Sequence, residues 1–85
     1  MYFTYVIWSG RLQKRYVGSA QSIEVRLKQH NSGKTPFTLR GIPWILIHHE
    51  IFETRSDALK REKFLKSGVG RKWLDEMFPN YRASR

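Results

Sequence analysis

Residues 2–8, Tyr-Phe-Thr-Tyr-Val-Ile-Trp, are aromatic or β-branched throughout and predict a strand. Ser9 to Gln13 contains Gly10 and predicts a hairpin turn into a short antiparallel strand, Arg15 to Gly18. Ser22 is placed to cap a helix from Ile23 to about Asn31, with Gly33 just beyond it where a left-handed residue is wanted. Residues 32–43 hold two Gly and two Pro and predict a loop, long for so short a chain. Trp44 to Phe52 is apolar on both faces in its first half, the pattern of a central strand. Thr54-Arg-Ser-Asp57 fits a capping box that opens a helix over about 55–67, with Gly68 as its stop. A third helix spans about 70–78, ending near Pro79, and residues 80–85 are expected to fray. Strands and helices in this order predict an α+β fold, and the 85 residues allow a single domain, 1–85, with its core in about 2–67.

Within the second helix one residue breaks the pattern. At about 100° per residue, with Ala58 at zero, Leu59 falls near 100°, Leu65 near −20° and Glu62 near 40°, inside the apolar stripe. Lys60, Arg61 and Lys63 lie mostly off that stripe. An inward carboxylate is costly unless a cation, hydrogen-bond donors or a metal meets it. Glu62 is therefore half of a salt bridge, for example with Arg26, or else a metal ligand or catalytic acid. On the first helix, Arg26 and His30 stand four residues apart beside the inner stripe of Ile23 and Leu27, stacked at the margin of a shared cleft. Val25 points outward there, unexplained by the pattern.

Composition adds a partner class. Sixteen Lys+Arg against seven Asp+Glu give a formal net charge of +9, which points to a polyanion and hence to nucleic acid. There is no Cys, which excludes a disulfide scaffold, a thiol nucleophile and a Cys-ligated zinc. No apolar run approaches the roughly 20 residues of a membrane span, and no basic stretch precedes an apolar one at the N-terminus, so a cytoplasmic protein without membrane contact is expected. Arg55, Lys60, Arg61, Lys63, Lys66, Arg71 and Lys72 crowd into 55–72 and predict a phosphate-tracking surface, joined by Arg26 and by Lys34 and Arg40 of the loop.

Three further features invite chemistry. Gly33-Lys34-Thr35 imitates the end of a P-loop, but Lys28 stands where the upstream Gly is required and the triplet follows a helix. His48 and His49 are neighbours on a strand, point to opposite faces and cannot share an ion. Tyr5, sharing a face with Phe3 and Ile7, and Tyr16 on the next strand are strand aromatics, and Gly18 after Tyr16-Val17 marks a close backbone approach or a turn bound for the helix.

Phe3-Thr4-Tyr5, then Tyr16-Val17-Gly18, then Glu24-Val25-Arg26-Leu27-Lys28-Gln29-His30 and finally Leu59-Lys60-Arg61-Glu62-Lys63 resemble, in order and spacing, the GIY-YIG nuclease domain. The resemblance covers about residues 2–67 and is greatest to small, single-domain members. It implies a three-stranded antiparallel sheet flanked by helices. It implies an endonuclease hydrolysing phosphodiesters, DNA ahead of RNA, with a repair or recombination role. Tyr5 and Tyr16 match the tyrosines of the two triads, Arg26 the catalytic arginine, His30 the histidine that often follows it, and Glu62 the metal-binding glutamate. The first triad departs from Gly-Ile-Tyr, and Asn80 is the sole late candidate for the family's distal asparagine. One inward carboxylate suits a single Mg²⁺ or Mn²⁺ that keeps several waters. Arg26 would grip phosphate oxygens, and Tyr5 or Tyr16 would orient or deprotonate water. The rival is a non-catalytic, basic nucleic-acid-binding module on the same fold.

Overall fold

The computed structural model describes residues 1–83. Strands β1 (Tyr2–Ser9), β2 (Lys14–Ala20) and β3 (Trp44–Phe52) form one antiparallel sheet in the order β2-β1-β3. Helix α1 (Ile23–Asn31) follows β2, and α2 (Arg55–Lys66) and α3 (Gly68–Met77) follow β3. The α+β class and the three-stranded antiparallel sheet agree with expectation.

The central strand is β1, not β3. Every residue from Thr4 to Ser9 is buried, whereas Ile45 and Leu46 of β3 are 47% and 37% exposed. An apolar run reports how a strand could be covered, not whether another strand lies beside it. The β1–β2 hairpin takes one edge of β1, β3 takes the other, and among the described residues no fourth strand covers β3.

Alternation along β1 builds two thin cores. On one face Val6 packs with Val17, Leu65 and Leu74, bordered by Ile47, Trp73 and Phe78, so α2 and α3 cover this side. On the other, Tyr5 and Ile7 pack with Trp44, bordered by Tyr16, Ile23, Leu27 and Ile42, so α1 and the following loop cover that side. Thr4 fastens α2 to the sheet by donating its hydroxyl to the buried Ala58 carbonyl at 2.7 Å.

The caps fall where the sequence puts them, with one exception. The Ser22 hydroxyl accepts from the Val25 N–H, and that of Thr54 from the Asp57 N–H. Gly33 takes a positive φ of 82° just past α1, whereas in the β1–β2 turn the left-handed residue is Gln13, at φ 54°, rather than Gly10. The exception is Gly68, which opens α3 instead of only ending α2. Ser67 closes α2 through its N–H to the Phe64 carbonyl, and its side chain accepts from Gly70 N–H to start α3. The third helix thus begins earlier than expected. Residues 32–43 form the expected connection, with a short 3-10 turn at Leu39–Gly41.

The expected frayed tail is partly structured. Pro79–Tyr81 closes a 3-10 turn. The Arg15 guanidinium reaches Asp75 at 2.7 Å and the Tyr81 carbonyl at 3.1 Å, while the Tyr81 ring packs edge-on against Trp8. Ser84 and Arg85, also assigned to that tail, lie outside the described residues.

Two nearby glycines make opposite demands. A Cβ on Gly70 would collide with the Phe64 carbonyl and the Leu65 Cα, because α3 leans on the α2 backbone there; a Cβ on Gly68 would meet nothing within 4 Å. Gly70→Ala should therefore destabilise the fold by about 1–3 kcal/mol or more. Gly68→Ala should be neutral or stabilise by up to about 1 kcal/mol. Urea unfolding of the two variants beside the wild type checks both signs.

Candidate active site

The site begins at a glycine. In register, Tyr5 lies opposite Gly18 and Thr4 opposite Ser19. A Cβ on Gly18 would stand 2.5 Å from the Tyr5 hydroxyl oxygen, so the missing side chain lets the phenol lie across β2. Tyr5 is 1% exposed, and a buried hydroxyl needs a partner. His30 supplies it, with Nε2 2.9 Å from Tyr5 Oη. The other ring nitrogen, Nδ1, is 2.8 Å from Thr38 Oγ1, and that hydroxyl in turn reaches the Thr35 carbonyl at 3.3 Å. Since a carbonyl only accepts, one consistent direction runs through all three bonds. Tyr5 O–H donates to Nε2, Nδ1–H donates to Thr38, and Thr38 O–H donates to Thr35.

This geometry corrects the expectation for His30. It is fully buried, with both nitrogens occupied, and does not face an open cleft beside Arg26. Burial, and then the Arg26 charge, push its pKa below the ordinary value, so the neutral ring is favoured. Burial also pushes the Tyr5 hydroxyl up; the Arg26 guanidinium opposes this, while Tyr16 and Glu62 add to it. Tyr5 is therefore held as a protonated phenol, which turns against its use as a direct base.

Tyr16 is half-buried, its ring 5.0 Å from the His30 ring and 6.4 Å from that of Trp44. Trp44 is itself fixed by its indole N–H to the Thr38 carbonyl, and its backbone N–H and C=O both bond the Asn31 side chain. Arg26, also half-buried, donates to Gln29 Oε1 at 2.8 Å.

Glu62 does not pair with Arg26. Its Oε1 accepts from the Ser19 hydroxyl at 2.8 Å, and its Oε2 accepts from Lys66 Nζ at 2.6 Å. Its side chain is 20% exposed, so the inward position in the helical pattern is real but not deep. Lys66 also stands 6.0 Å from the centre of the Tyr16 ring, joining carboxylate and tyrosine on the β2 edge.

The expected basic surface divides. Lys34, Arg40, Arg55, Lys60 and Lys63 are exposed. Arg61 is not a free phosphate contact: it pairs with Glu50 at 3.0 Å and lies over the rings of Phe64 and Trp73. Burial would raise the Glu50 pKa, but hydrogen bonds from His48 and Arg61 outweigh it and hold the carboxyl below its usual value. Asn80 is exposed on the 3-10 turn, with no hydrogen bond to the tyrosine cluster among the described residues. Two contributors escaped the sequence reading. Ser19 is signalled only by following Gly18 on the alternating strand, and Thr38 carries no local signal. His48 and His49, as expected, face opposite sides of β3.

Among the described residues no cluster of three or more His, Cys, Asp and Glu gathers for a metal. A single hard carboxylate with a hydroxyl nearby fits a Mg²⁺-like ion that keeps most of its waters, and Glu62, beside the Ser19 hydroxyl, could hold one. No helix among the described residues is long and apolar enough to cross a membrane.

A small α+β domain with two tyrosines, an arginine and a histidine on one side of a three-stranded sheet and a glutamate beyond its edge defines a class. The family model for the GIY-YIG catalytic domain matches residues 1–73, and the chain belongs to that nuclease family. It is 43% identical over 53 residues to a UPF0213 protein of Haloquadratum walsbyi, covering 61% of this chain and 60% of that one. It is 42% identical over 53 residues to a UPF0213 protein of Staphylococcus saprophyticus, covering 61% and 65%. A UPF0213 protein of Staphylococcus aureus is 37% identical over 60 residues, covering 69% and 73%. The chain thus spans about three fifths of the length of the first two relatives. No solved structure matches.

The buried His30 gives a pH signature. Its depressed pKa means that the unfolded chain takes up the proton more readily than the folded one. Its contribution is present above the unfolded value of about 6.5 and is lost as pH falls through the folded value. Thermal melts from pH 7.5 to 5 should show stability falling before carboxylates titrate, and His30→Gln should lower the melting temperature at pH 7.5 yet flatten that slope. An unchanged slope in the variant would remove His30 as its source.

Proposed function

We propose that this protein is a divalent-metal-dependent endonuclease hydrolysing phosphodiesters in nucleic acid, DNA ahead of RNA, in the cytoplasm, with a role in repair or recombination. One observation carries the reading. Tyr5 crosses Gly18 on one face of β2, while the next residue, Ser19, holds Glu62 on the other, so tyrosines and carboxylate converge on one stretch of strand edge. A core alone would not require a carboxylate there.

Arg26 binds and neutralises the scissile phosphate through its planar fork. Tyr16, half-exposed, orients the attacking water through its hydroxyl. Tyr5 is a positioning residue at neutral pH: its hydroxyl, donated to His30, fixes the ring against which Arg26 and Tyr16 are set. His30 holds that proton arrangement and excludes water from the centre of the site. Glu62 would hold the metal, which supplies charge neutralisation at the phosphate and acidifies water. Lys34, Arg40, Arg55, Lys60, Lys63 and Lys66 supply non-specific phosphate contacts, and Arg61 serves structure instead.

The test is a panel of single-stranded, duplex and branched DNA and RNA with Mg²⁺, Mn²⁺ or chelator. Cleavage should require metal. Arg26→Ala should lower the rate by about 10²–10³-fold, with poor rescue by Arg26→Lys. Glu62→Gln should abolish metal-dependent cleavage yet shift stability by less than about 1 kcal/mol, because its Lys66 partner is half-exposed. Metal-dependent cleavage retained in Glu62→Gln removes the ligand role; binding with no cleavage of any substrate favours the non-catalytic module.

Affinity itself should fall steeply with salt. Neutralising one contact among Lys34, Arg55, Lys60 or Lys63 should lower the log–log slope by about 0.7–0.9, whereas Arg61→Gln should act on stability and leave that slope in place. Anisotropy titrations at several salt concentrations read both.

A further inference from the structure

Among the described residues, the four carboxylate pairs with Lys or Arg differ in how firmly the cation is held. Arg15 is 6% exposed and bound to backbone carbonyls as well as to Asp75. Arg61 lies over two aromatic rings beside Glu50. Lys28 and Glu24 are both exposed, 3.7 Å apart. Lys66 and Glu62 combine a fixed anion with a loose cation. The carboxylate is 20% exposed and tethered through Oε1 to Ser19, while the lysine is 51% exposed and bonds only through Oε2. The ammonium can leave without the carboxylate moving.

It also has somewhere to go. Lys66 already lines a groove of ≈ 350 Å³ with Lys14, Tyr16 and Arg71 and with the apolar Val17, Leu65 and Leu74, and no acidic residue is among its lining. An ammonium entering this groove meets like charge unless a polyanion is already there. A phosphate on a nucleic-acid strand is the partner that would make the move favourable.

We infer that Lys66 is an exchangeable counter-ion, neutralising Glu62 in the metal-free protein, giving up the carboxylate to a divalent ion, and then binding a substrate phosphate in the Lys14–Arg71 groove. This rests on the metal-ligand reading of Glu62. Lysine suits the exchange because its compact charge rides on a flexible stem, and the i,i+4 spacing lets the pair form or open by side-chain rotation alone. The consequence is coupling: metal binding frees a cation for substrate, and substrate draws that cation away from the metal site.

The test separates this inference from the reading beneath it. Mn²⁺ titrations followed by the spin-resonance signal of the free ion should be run on wild type, Lys66→Gln, Lys63→Gln and Glu62→Gln. Lys66→Gln should bind Mn²⁺ about fivefold or more tightly, since it removes the competing cation. Lys63, exposed and in no ion pair among the described residues, should change that affinity by less than about twofold when replaced by Gln. With duplex DNA and Mn²⁺, Lys66→Gln should bind more weakly and lower the salt slope by about 0.7–0.9. Tighter metal with weaker substrate is the supporting result. Mn²⁺ affinity unchanged or weakened in Lys66→Gln but lost in Glu62→Gln overturns the exchange while the ligand reading stands. Equal tightening in Lys63→Gln and Lys66→Gln also overturns it, as diffuse charge. Binding indifferent to Glu62→Gln overturns the ligand reading, and the exchange with it.

Discussion

A phenol sits at the middle of a sheet only three strands wide, and its hydroxyl must be satisfied without water. That constraint organises one whole side of the protein. Tyr5 needs a partner from above the sheet, which obliges α1 to bring His30 over the strand. His30 then needs a partner of its own, which draws Thr38 of the long connection inward. The Thr38 carbonyl receives the Trp44 indole, and Trp44 starts β3. Helix, loop and third strand are thus linked through one chain of hydrogen bonds. The low dielectric that strengthens such bonds makes each missing partner expensive. The loop 32–43 is long because it must return over the histidine before entering the sheet.

The opposite face is organised by packing and one clamp. Thr4 to Ala58 fixes α2 against β1, and Glu62 follows one helical turn later beside Ser19. The two faces of β2 thus carry different tasks side by side: Gly18 makes room for a ring, and Ser19 steadies a carboxylate. A shift of register by a single residue would reverse those faces and separate the groups.

Charge is distributed with the same economy. The part-buried ion pairs, Arg15 with Asp75 and Arg61 with Glu50, tie α3 to β2 and α2 to β3. These join secondary elements packed on a thin core, and they pair two arginines with carboxylates. The exposed lysines and arginines on α2 and the loop keep positive charge outward on the same helix that carries Glu62.

Much of this was legible in the chain. The strand at 2–8, the Ser22 and Thr54 caps, the positive φ of Gly33 and the inward angle of Glu62 follow from local rules, because caps, turns and helical phase depend on neighbours within about four residues. The ordered tyrosines, arginine, histidine and glutamate likewise sufficed to identify the family. Tertiary structure alone decided which strand lies in the middle, since an apolar run is the same whether or not another strand covers it. It alone gave Glu62 to Ser19 and Lys66 instead of Arg26, sealed His30 between α1 and the sheet, and tied Arg61 to Glu50. Each of these turns on where a distant segment arrives, and periodicity along the chain gives a side chain's direction but not what meets it there.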